Sequence, residues 1–509
     1  MSRTAQSARN AGVSILVQII VILLGFATRT VFIAQLGVAM VGVNAVLTSL
    51  MALLALADLG INGALMYALY KPLREGDAKA TAAIVQYAGR LLRWVAVIIA
   101  VVGLAAMPFV HLLVQLDSTV EYLELYYAVL LANTVVGYLM LNRLVLLNAD
   151  QKIYLTKIYS LVFNVVRSVA QILALMFVGS FLLFLVIQVL FTLLNNLFVY
   201  VRAGRIYPYI RARATALDRG ERASILRSTR AMMIYRIGGV MLSNSTSLLV
   251  SLLVGTVALG YYSNYLLIVG AAVMIVEVAF SALTPSVGNL VASGDRRAAR
   301  NVFDETVLLA LLVHGAIAVS LVTLLDDFVL LWLGPEFILP LPVVIAAVLN
   351  FYVVGTVMPL WSFRSATGLF RRTQFVMLVT AALCIALSLA FAPVFGLVAV
   401  IAAPTVARLV TGAWYEPWLL IRDYLVGRVL PYFGLQLGAF LLWTVTAAGT
   451  FALGELVPDD PLLSLLWKAL FIAIVFPLVS WAAFRRRDAF AALLKRMQHL
   501  AGRGRRGNA

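Results

Sequence analysis

Apolar runs of about twenty residues, separated by short polar or basic segments, recur along the whole 509-residue chain. Each residue of a helix rises about 1.5 Å, so a run of about 20 crosses a hydrocarbon core. This ruler predicts about fourteen transmembrane helices. Eight lie near 12–34, 40–68, 90–116, 122–148, 158–180, 181–203, 231–255 and 259–291. Six follow near 304–325, 337–363, 373–393, 395–421, 428–454 and 462–484. The expected fold class is all-α, a polytopic membrane protein. The fifth and sixth spans meet at Gly179-Ser180 almost without a loop. The first apolar run is longer than a signal-peptide core, so it reads as a retained span.

Charge orients these spans. With the N-terminus inside, the outer loops and their edges carry Asp117, Glu121, Asp326, Asp327, Glu336, Glu455, Asp459 and Asp460, and no Lys or Arg. The inner segments and inner helix ends hold all but five of the 39 basic residues. Those five, Arg29, Arg167, Arg236, Arg408 and Lys468, lie within spans. The signs never mix along the chain, which is the positive-inside pattern with both termini cytoplasmic. The net charge of +17 therefore marks a membrane orientation and not a nucleic-acid partner.

The chain repeats itself at an offset of 218. Gly37 and Gly42 map onto Gly255 and Gly260, and Gly76-Asp77 maps onto Gly294-Asp295. Both halves start inside, so the repeat is parallel, with a pseudo-two-fold axis along the membrane normal. The basic loop from Arg202 to Arg230 divides them. The expected organisation is an N-terminal lobe of six helices (1–210), a second lobe of six (211–422), two extra helices (423–484) and a basic cytoplasmic tail (485–509).

Polar residues inside spans narrow the function. Ser14, Gln18, Gly25 and Arg29 share one helical face of the first span. Ser160, Asn164, Arg167 and Gln171 do so in the fifth, and Arg236, Ser243, Ser247 and Ser251 in the seventh, with Asn244 beside them. Such stripes line a cavity or pack between helices. Arg167 and Arg408 fall near mid-span, whereas Arg29 and Arg236 lie nearer span ends, within reach of headgroups. Guanidinium groups hold phosphate through paired hydrogen bonds, so a cavity with Arg29, Arg167, Arg236 and Arg408 favours an anionic, phosphate-bearing cargo. Asp58 and Glu277 are also deep. They are candidates for ion coupling, or counter-ions for nearby arginines. Arg143 reads as an interfacial anchor and Glu416 as structural.

Sequence chemistry excludes other classes. Hydrophobic residues make up 63% of the chain and charged ones only 12%, well below the quarter typical of soluble domains. The lone Cys384 leaves no disulfide framework. His111, His314 and His499 are too dispersed for a metal cluster, and His314 reads as a hydrogen-bonded core residue. No phosphate-binding glycine loop, His-Glu-x-x-His or acidic cluster is present, so neither a cofactor nor a metal is expected. The outer loops are too short for an extracytoplasmic catalytic domain.

Asp58-Leu59-Gly60-Ile61-Asn62, leading into Tyr67-Ala68-Leu69-Tyr70-Lys71-Pro72-Leu73 and Gly76-Asp77, resembles bacterial oligosaccharide flippases of the polysaccharide transporter family. That family lies in the multidrug/oligosaccharidyl-lipid/polysaccharide flippase superfamily. Asn148-Ala149-Asp150-Gln151-Lys152 and the turn Leu36-Gly37 with Gly42-Val43-Asn44 fit the same pattern. The resemblance implies two six-helix lobes around a cavity that opens alternately inward and outward. It implies a bacterial plasma-membrane protein whose cargo is an undecaprenyl-diphosphate-linked oligosaccharide, flipped outward for capsule, exopolysaccharide or O-antigen export. Anionic headgroups and other membrane proteins of polysaccharide assembly are the further partners it suggests. Fourteen spans also suit a lipid II flippase. A cation-coupled drug exporter and an integral-membrane polymerase are the remaining alternatives.

Overall fold

The computed structural model describes residues 3–58, 61–116, 120–150, 152–211, 219–281, 287–288, 290–291, 293–454 and 460–495. The outer acids Asp117, Glu455 and Asp459 and the tail 496–509 fall outside them. Among the described residues the chain is all-helical, with no strand. The main helices are α1 (Arg3–Leu54), α2 (Ile61–Glu75), α3 (Ala78–Ala106), α4 (Leu123–Leu139), α5 (Leu141–Ala149), α6 (Ile153–Val178), α7 (Phe181–Ile206) and α8 (Arg219–Leu253). They continue as α9 (Thr256–Ser281), α10 (Arg296–Leu333), α11 (Leu341–Thr356), α12 (Met358–Thr367), α13 (Val376–Phe395), α14 (Leu397–Val410), α15 (Gly412–Leu420), α16 (Leu430–Gly454) and α17 (Pro461–Phe484).

Among the described residues, eleven helices are long and apolar enough to cross a membrane, or twelve if the bent pair α4–α5 is one span. Two features reconcile this with fourteen expected spans. The first span and the beginning of the second run on as the single helix α1, broken at Gly37, whose φ of 78° is a backbone state that glycine adopts readily. The second span, expected over 40–68, is interrupted by the 3₁₀ turn Ala55–Asp58 before α2. The seventh span is α8, whose Arg236 and polar run Ser243–Ser247 hold its hydropathy down. The Gly179-Ser180 joint is as expected. Gly179, at φ 64°, caps α6 by donating its N–H to the Ala174 and Leu175 carbonyls, and the Ser180 side chain accepts from Leu183 N to start α7. Several boundaries differ from the sequence reading: α3 begins at Ala78 and not near 90, and α8 at Arg219 and not near 231. Residues 326–333 continue α10 instead of forming a loop, because they are apolar apart from Asp326 and Asp327 and meet no breaker until Gly334.

The chain divides into two compact units. The first comprises Met1–Leu267 with Gln374–Val400, and the second Ile268–Thr373 with Ile401–Ala509. In the first unit α6 packs on α1 and α7, and α8 packs on α13. Phe32, Leu47, Tyr127, Leu131, Leu175 and Leu185 form its main core. The buried Tyr127 hydroxyl donates to the Gly103 carbonyl at 2.8 Å, which satisfies it in an apolar setting. In the second unit α10 is central, with α11, α16 and α17 around it. His314 is buried there, its Nδ1 2.9 Å from the Ala310 carbonyl, as expected of a core histidine. Large side chains left exposed, such as Phe177, Leu430 and Val394, are apolar, which suits a surface solvated by lipid.

Candidate functional site

A cavity of about 320 Å³ opens within the first unit, and helical periodicity explains its walls. Val21, Leu24, Gly25, Thr28, Arg29 and Phe32 recur at three- and four-residue steps, so one face of α1 before its break turns toward it. Beyond the break, Val41, Asn44 and Thr48 do the same. Helix α6 contributes Asn164, Arg167, Ser168 and Gln171, again at helical spacing, and α7 adds Phe184 and Gln188. Phe32 meets Phe181 and Phe184 edge-on, with ring centroids 5.7 and 5.2 Å away.

Arg29 and Arg167 are the charged residues of this lining among the described residues, and no carboxylate accompanies them there. Arg167 Nε is buried and makes no hydrogen bond with any described residue, and so is Thr28 Oγ1. An unpaired guanidinium in low dielectric is costly, so this wall is electrostatically suited to an anion. Arg29 therefore joins Arg167 at the cavity, whereas its position near a span end had placed it within reach of headgroups.

Gln171 has another task. It is buried, and its Nε2 donates to the Phe184 carbonyl at 3.0 Å, tying α6 to α7. Its amide acts as helix-to-helix glue, one of the two roles open to the stripe. Asn164 lines the cavity. Gln18 lies one turn before the α1 cavity face and does not line it. Arg236 and Ser243 are exposed on α8, and Asn244 and Ser247 are half-buried there. None of the four lines the cavity. Ser243 and Asn244 bond back to the Gly239 and Val240 carbonyls of their own helix, each at 3.0 Å. Arg408 is half-buried on α14, in the second unit. Asn44, Thr48, Ser168 and Gln188 are cavity residues that sequence reading missed. Asn44 and Thr48, four apart in the second apolar run, were an available signal.

Asp58 ends a short 3₁₀ turn, Ala55–Asp58, and its side chain falls outside the described set. Glu277 is exposed on α9. Other deep charges are paired. Glu416 Oε1 accepts from Arg364 Nη1 at 2.9 Å, the structural role expected of it. Lys468, one of the five basic residues within spans, lies 2.7 Å from Asp327 Oδ2, which also accepts from Ser464 Oγ. Arg143 donates to the Tyr200 carbonyl at 2.8 Å, with its guanidinium carbon 3.4 Å from that ring centroid. Among the described residues no group of His, Cys, Asp and Glu is placed to hold a metal.

The profile of the family described as "Polysaccharide biosynthesis protein" matches residues 7–291, more than half of the chain. Curated protein sequences give no match. Solved structures do. The chain is similar to the lipid II flippase MurJ in an inward closed conformation, at 13% identity and TM-score 0.64, over 92% of this chain and 98% of that one. It is similar to an inward-facing multidrug resistance MATE family transporter of the MOP superfamily, at 13% identity and TM-score 0.61, over 80% and 97%. The Vibrio cholerae MATE transporter VcmN matches at 14% identity and TM-score 0.58, over 82% and 98%. At such identities the likeness is one of fold, and it extends over nearly the whole of each relative. Matched by the family profile over residues 7–291 and folded throughout like these proteins, the chain belongs to the polysaccharide biosynthesis protein family and is a multi-pass membrane protein with the fold of the MOP superfamily flippases and transporters.

Proposed function

We propose that this protein flips an undecaprenyl-diphosphate-linked oligosaccharide from the cytoplasmic to the outer leaflet of the bacterial plasma membrane, for capsule, exopolysaccharide or O-antigen export. The carrying observation is the cavity that holds Arg29 and Arg167 beside Asn44, Asn164 and Gln188, with no carboxylate among its described lining residues. Two guanidinium groups hold a diphosphate by charge-assisted hydrogen bonds, and the amides suit sugar hydroxyls. Lobes 1–210 and 211–422 alternate access between the two sides, and both termini are cytoplasmic. The family profile supports a polysaccharide pathway. A cation-coupled exporter is disfavoured because its cargo would meet two unpaired cations.

A second reading, a lipid II flippase, draws support from the extent of the structural match. MurJ is matched over 92% of this chain, the multidrug transporters over 80% and 82%. The chemistry at the cavity is shared, since both cargoes carry a polyprenyl diphosphate. The test is reconstitution of the full chain in proteoliposomes loaded with either cargo on one leaflet. Outward movement of the oligosaccharide-bearing lipid, faster than that of lipid II, is the expected result. Movement of lipid II alone would shift the assignment, and movement of neither would end both readings.

A further inference from the structure

On the side that the charge pattern marks as inner, the second unit holds a cavity of about 500 Å³. The starts of α10 and α16 and the chain just past the end of α17 enclose it. A short helical segment, 488–495, follows α17, and Phe490, only 8% exposed, pins that segment to the unit. Charged groups at the inner ends of spans ordinarily just orient them, with water filling the gaps. Here level, charge and shape go further.

The cavity sits at headgroup level. The Arg485 guanidinium carbon lies 4.7 Å from the ring centroid of the half-exposed Trp481, and a tryptophan with an arginine at a span end marks the membrane–water boundary. Arg300, Asp304 and Glu305 line the cavity from α10, and Arg486, Arg487 and Asp488 line it from the chain after α17. Both signs of charge therefore share one space. Arg300 and Asp304 close on each other at 2.9 Å, with the Asp304 side chain still 42% exposed. Arg486, Arg487 and Asp488 form no ion pair with any described residue. A purely anionic ligand would face the carboxylates, and a purely cationic one the guanidinium groups. A ligand with both charges complements the whole wall. Pro431 and Leu435, four apart on α16, add an apolar patch, and Ala489 and Ala492 leave room that larger side chains would fill. The volume falls within the range of small-molecule sites, about 300–1,000 Å³.

From this combination we infer a second ligand site, for a phosphate ester bearing a primary ammonium, presented as the headgroup of a phosphatidylethanolamine-type lipid of the inner leaflet. Its phosphate meets Arg486 and Arg487 through charge-assisted hydrogen bonds, and its ammonium meets the carboxylates of Asp304 and Asp488. The glycerol and first acyl carbons lie against Pro431 and Leu435. The cavity lies wholly within the second unit, so this inference stands or falls independently of the arginine cavity.

The test is photo-crosslinking of the full chain in dodecylmaltoside micelles with a phosphatidylethanolamine that carries a diazirine near its ester groups, followed by peptide mapping. Labelling of peptides covering 430–435 and 488–495 is expected. Unlabelled phosphatidylethanolamine should compete at least about fivefold better than phosphatidylcholine, whose quaternary ammonium donates no hydrogen bond, and than phosphatidylglycerol, which has no cation. Ala492→Trp, and Arg486→Ser combined with Arg487→Ser, should each lower labelling about fivefold. Asp304→Asn combined with Asp488→Asn should erase the preference over phosphatidylcholine while labelling persists. Unfolding temperatures measured without added lipid separate lost binding from lost folding. Equal competition by all three lipids, or undiminished labelling of Ala492→Trp, would reduce the cavity to a water-filled crevice. Stronger competition by phosphatidylglycerol would leave only a general attraction to basic residues. Competition by soluble phosphoethanolamine as strong as that of the lipid would overturn the bilayer as the source of the ligand.

Discussion

Gly42 and Gly260, related by the 218-residue repeat, pack against each other's helices in reciprocal fashion. A Cβ on Gly42 would lie 2.0 Å from the Thr256 carbonyl oxygen, and one on Gly260 would lie 2.2 Å from the Val38 carbonyl oxygen. Thr256 is itself the repeat mate of Val38. The C-terminal part of α1 and the start of α9 therefore cross at a point of local two-fold symmetry, where only glycine allows the backbones to touch. The other repeat pair behaves alike within each unit. Asp77 Oδ1 caps Ala80 N and Asp295 Oδ1 caps Ala298 N, both at 2.9 Å, after glycines at φ 71° and 76°. Gly42→Ala and Gly260→Ala should each destabilise the protein by about 1–3 kcal/mol, as overpacking does. Gly434→Ala, where a Cβ meets nothing within 4 Å, is the control. Unfolding temperatures of the purified variants decide it, and three equal values would refute the close approach.

The deep ion pair between Lys468 and Asp327 joins α17 to α10, and both side chains are largely buried. Removing one partner strands the other charge, at a cost of about 3–5 kcal/mol. Lys468→Met and Asp327→Asn should each lower the unfolding temperature sharply, and the double variant should recover much of the loss. Additive losses in the double-mutant cycle would show that the two residues do not interact.

How far these features were legible in the chain depends on how local they are. Arg29, Asn164, Arg167 and Gln171 showed themselves by helical spacing, because a face is a property of one helix. Spacing does not say which way a face turns. The stripe of Arg236, Ser243 and Ser247 on α8 is as regular as that on α6, yet only the α6 stripe lines the cavity. Gln188 opens a stripe with Thr192 and Asn195 at helical spacing on α7, a signal that sequence reading missed. Pairs such as Lys468 with Asp327 or Arg364 with Glu416 bridge 141 and 52 residues, and no periodicity within one helix reveals a partner on another. The repeat was readable for the opposite reason. Its glycines answer to backbone geometry, which tolerates no other residue.

Just beyond the end of α7, the Tyr207 hydroxyl donates to Asp150 Oδ2, which also pairs with Lys152 at 2.8 Å. Burial, then the hydrogen bond to Asp150, raises the Tyr207 phenol well above its ordinary value. A group whose folded value is raised contributes stability below the unfolded value, about 10 for tyrosine, and loses it as pH climbs through the folded one. Tyr207→Phe should cost about 1.5–3 kcal/mol at pH 8, the worth of a hydrogen bond to a charged acceptor. The gap to the wild-type protein should narrow above about pH 10. A gap that stays constant through pH 11 would mean that the phenol does not titrate differently on unfolding.

Asp58 and Glu277 are proposed as ion-coupling groups, with a counter-ion role as the competing reading. Asp58→Asn or Glu277→Gln should abolish the response of transport to an imposed proton or sodium gradient if either group couples. A counter-ion role predicts lower stability with gradient dependence intact. Transport rates with and without each gradient, measured beside unfolding temperatures, separate the two. Unchanged gradient dependence in both variants removes coupling from these residues.

The arginines of the first-unit cavity offer the sharpest test of cargo. Arg29 and Arg167 line one cavity, while Arg236 is exposed on α8 and Arg408 lies in the other unit. Arg29→Ala and Arg167→Ala should therefore slow flipping of the lipid-linked oligosaccharide most. A lost charge-assisted hydrogen bond of about 1.5–3 kcal/mol corresponds to roughly ten- to hundredfold in rate when the contact strengthens in the transition state. Arg167→Lys should restore only part of the rate, since an ammonium keeps the charge and lacks the planar fork that holds two phosphate oxygens. Arg236→Ala and Arg408→Ala should have smaller effects on transport at equal expression. Raising the salt concentration should not mimic the cavity variants, because a buried pair is screened far less than a surface one. Rates come from the arrival of the oligosaccharide at the outer leaflet of proteoliposomes, read by an impermeant lectin or glycosidase. Wild-type rates in both Arg29→Ala and Arg167→Ala would separate the cavity from phosphate recognition and make a neutral or cationic cargo the better reading.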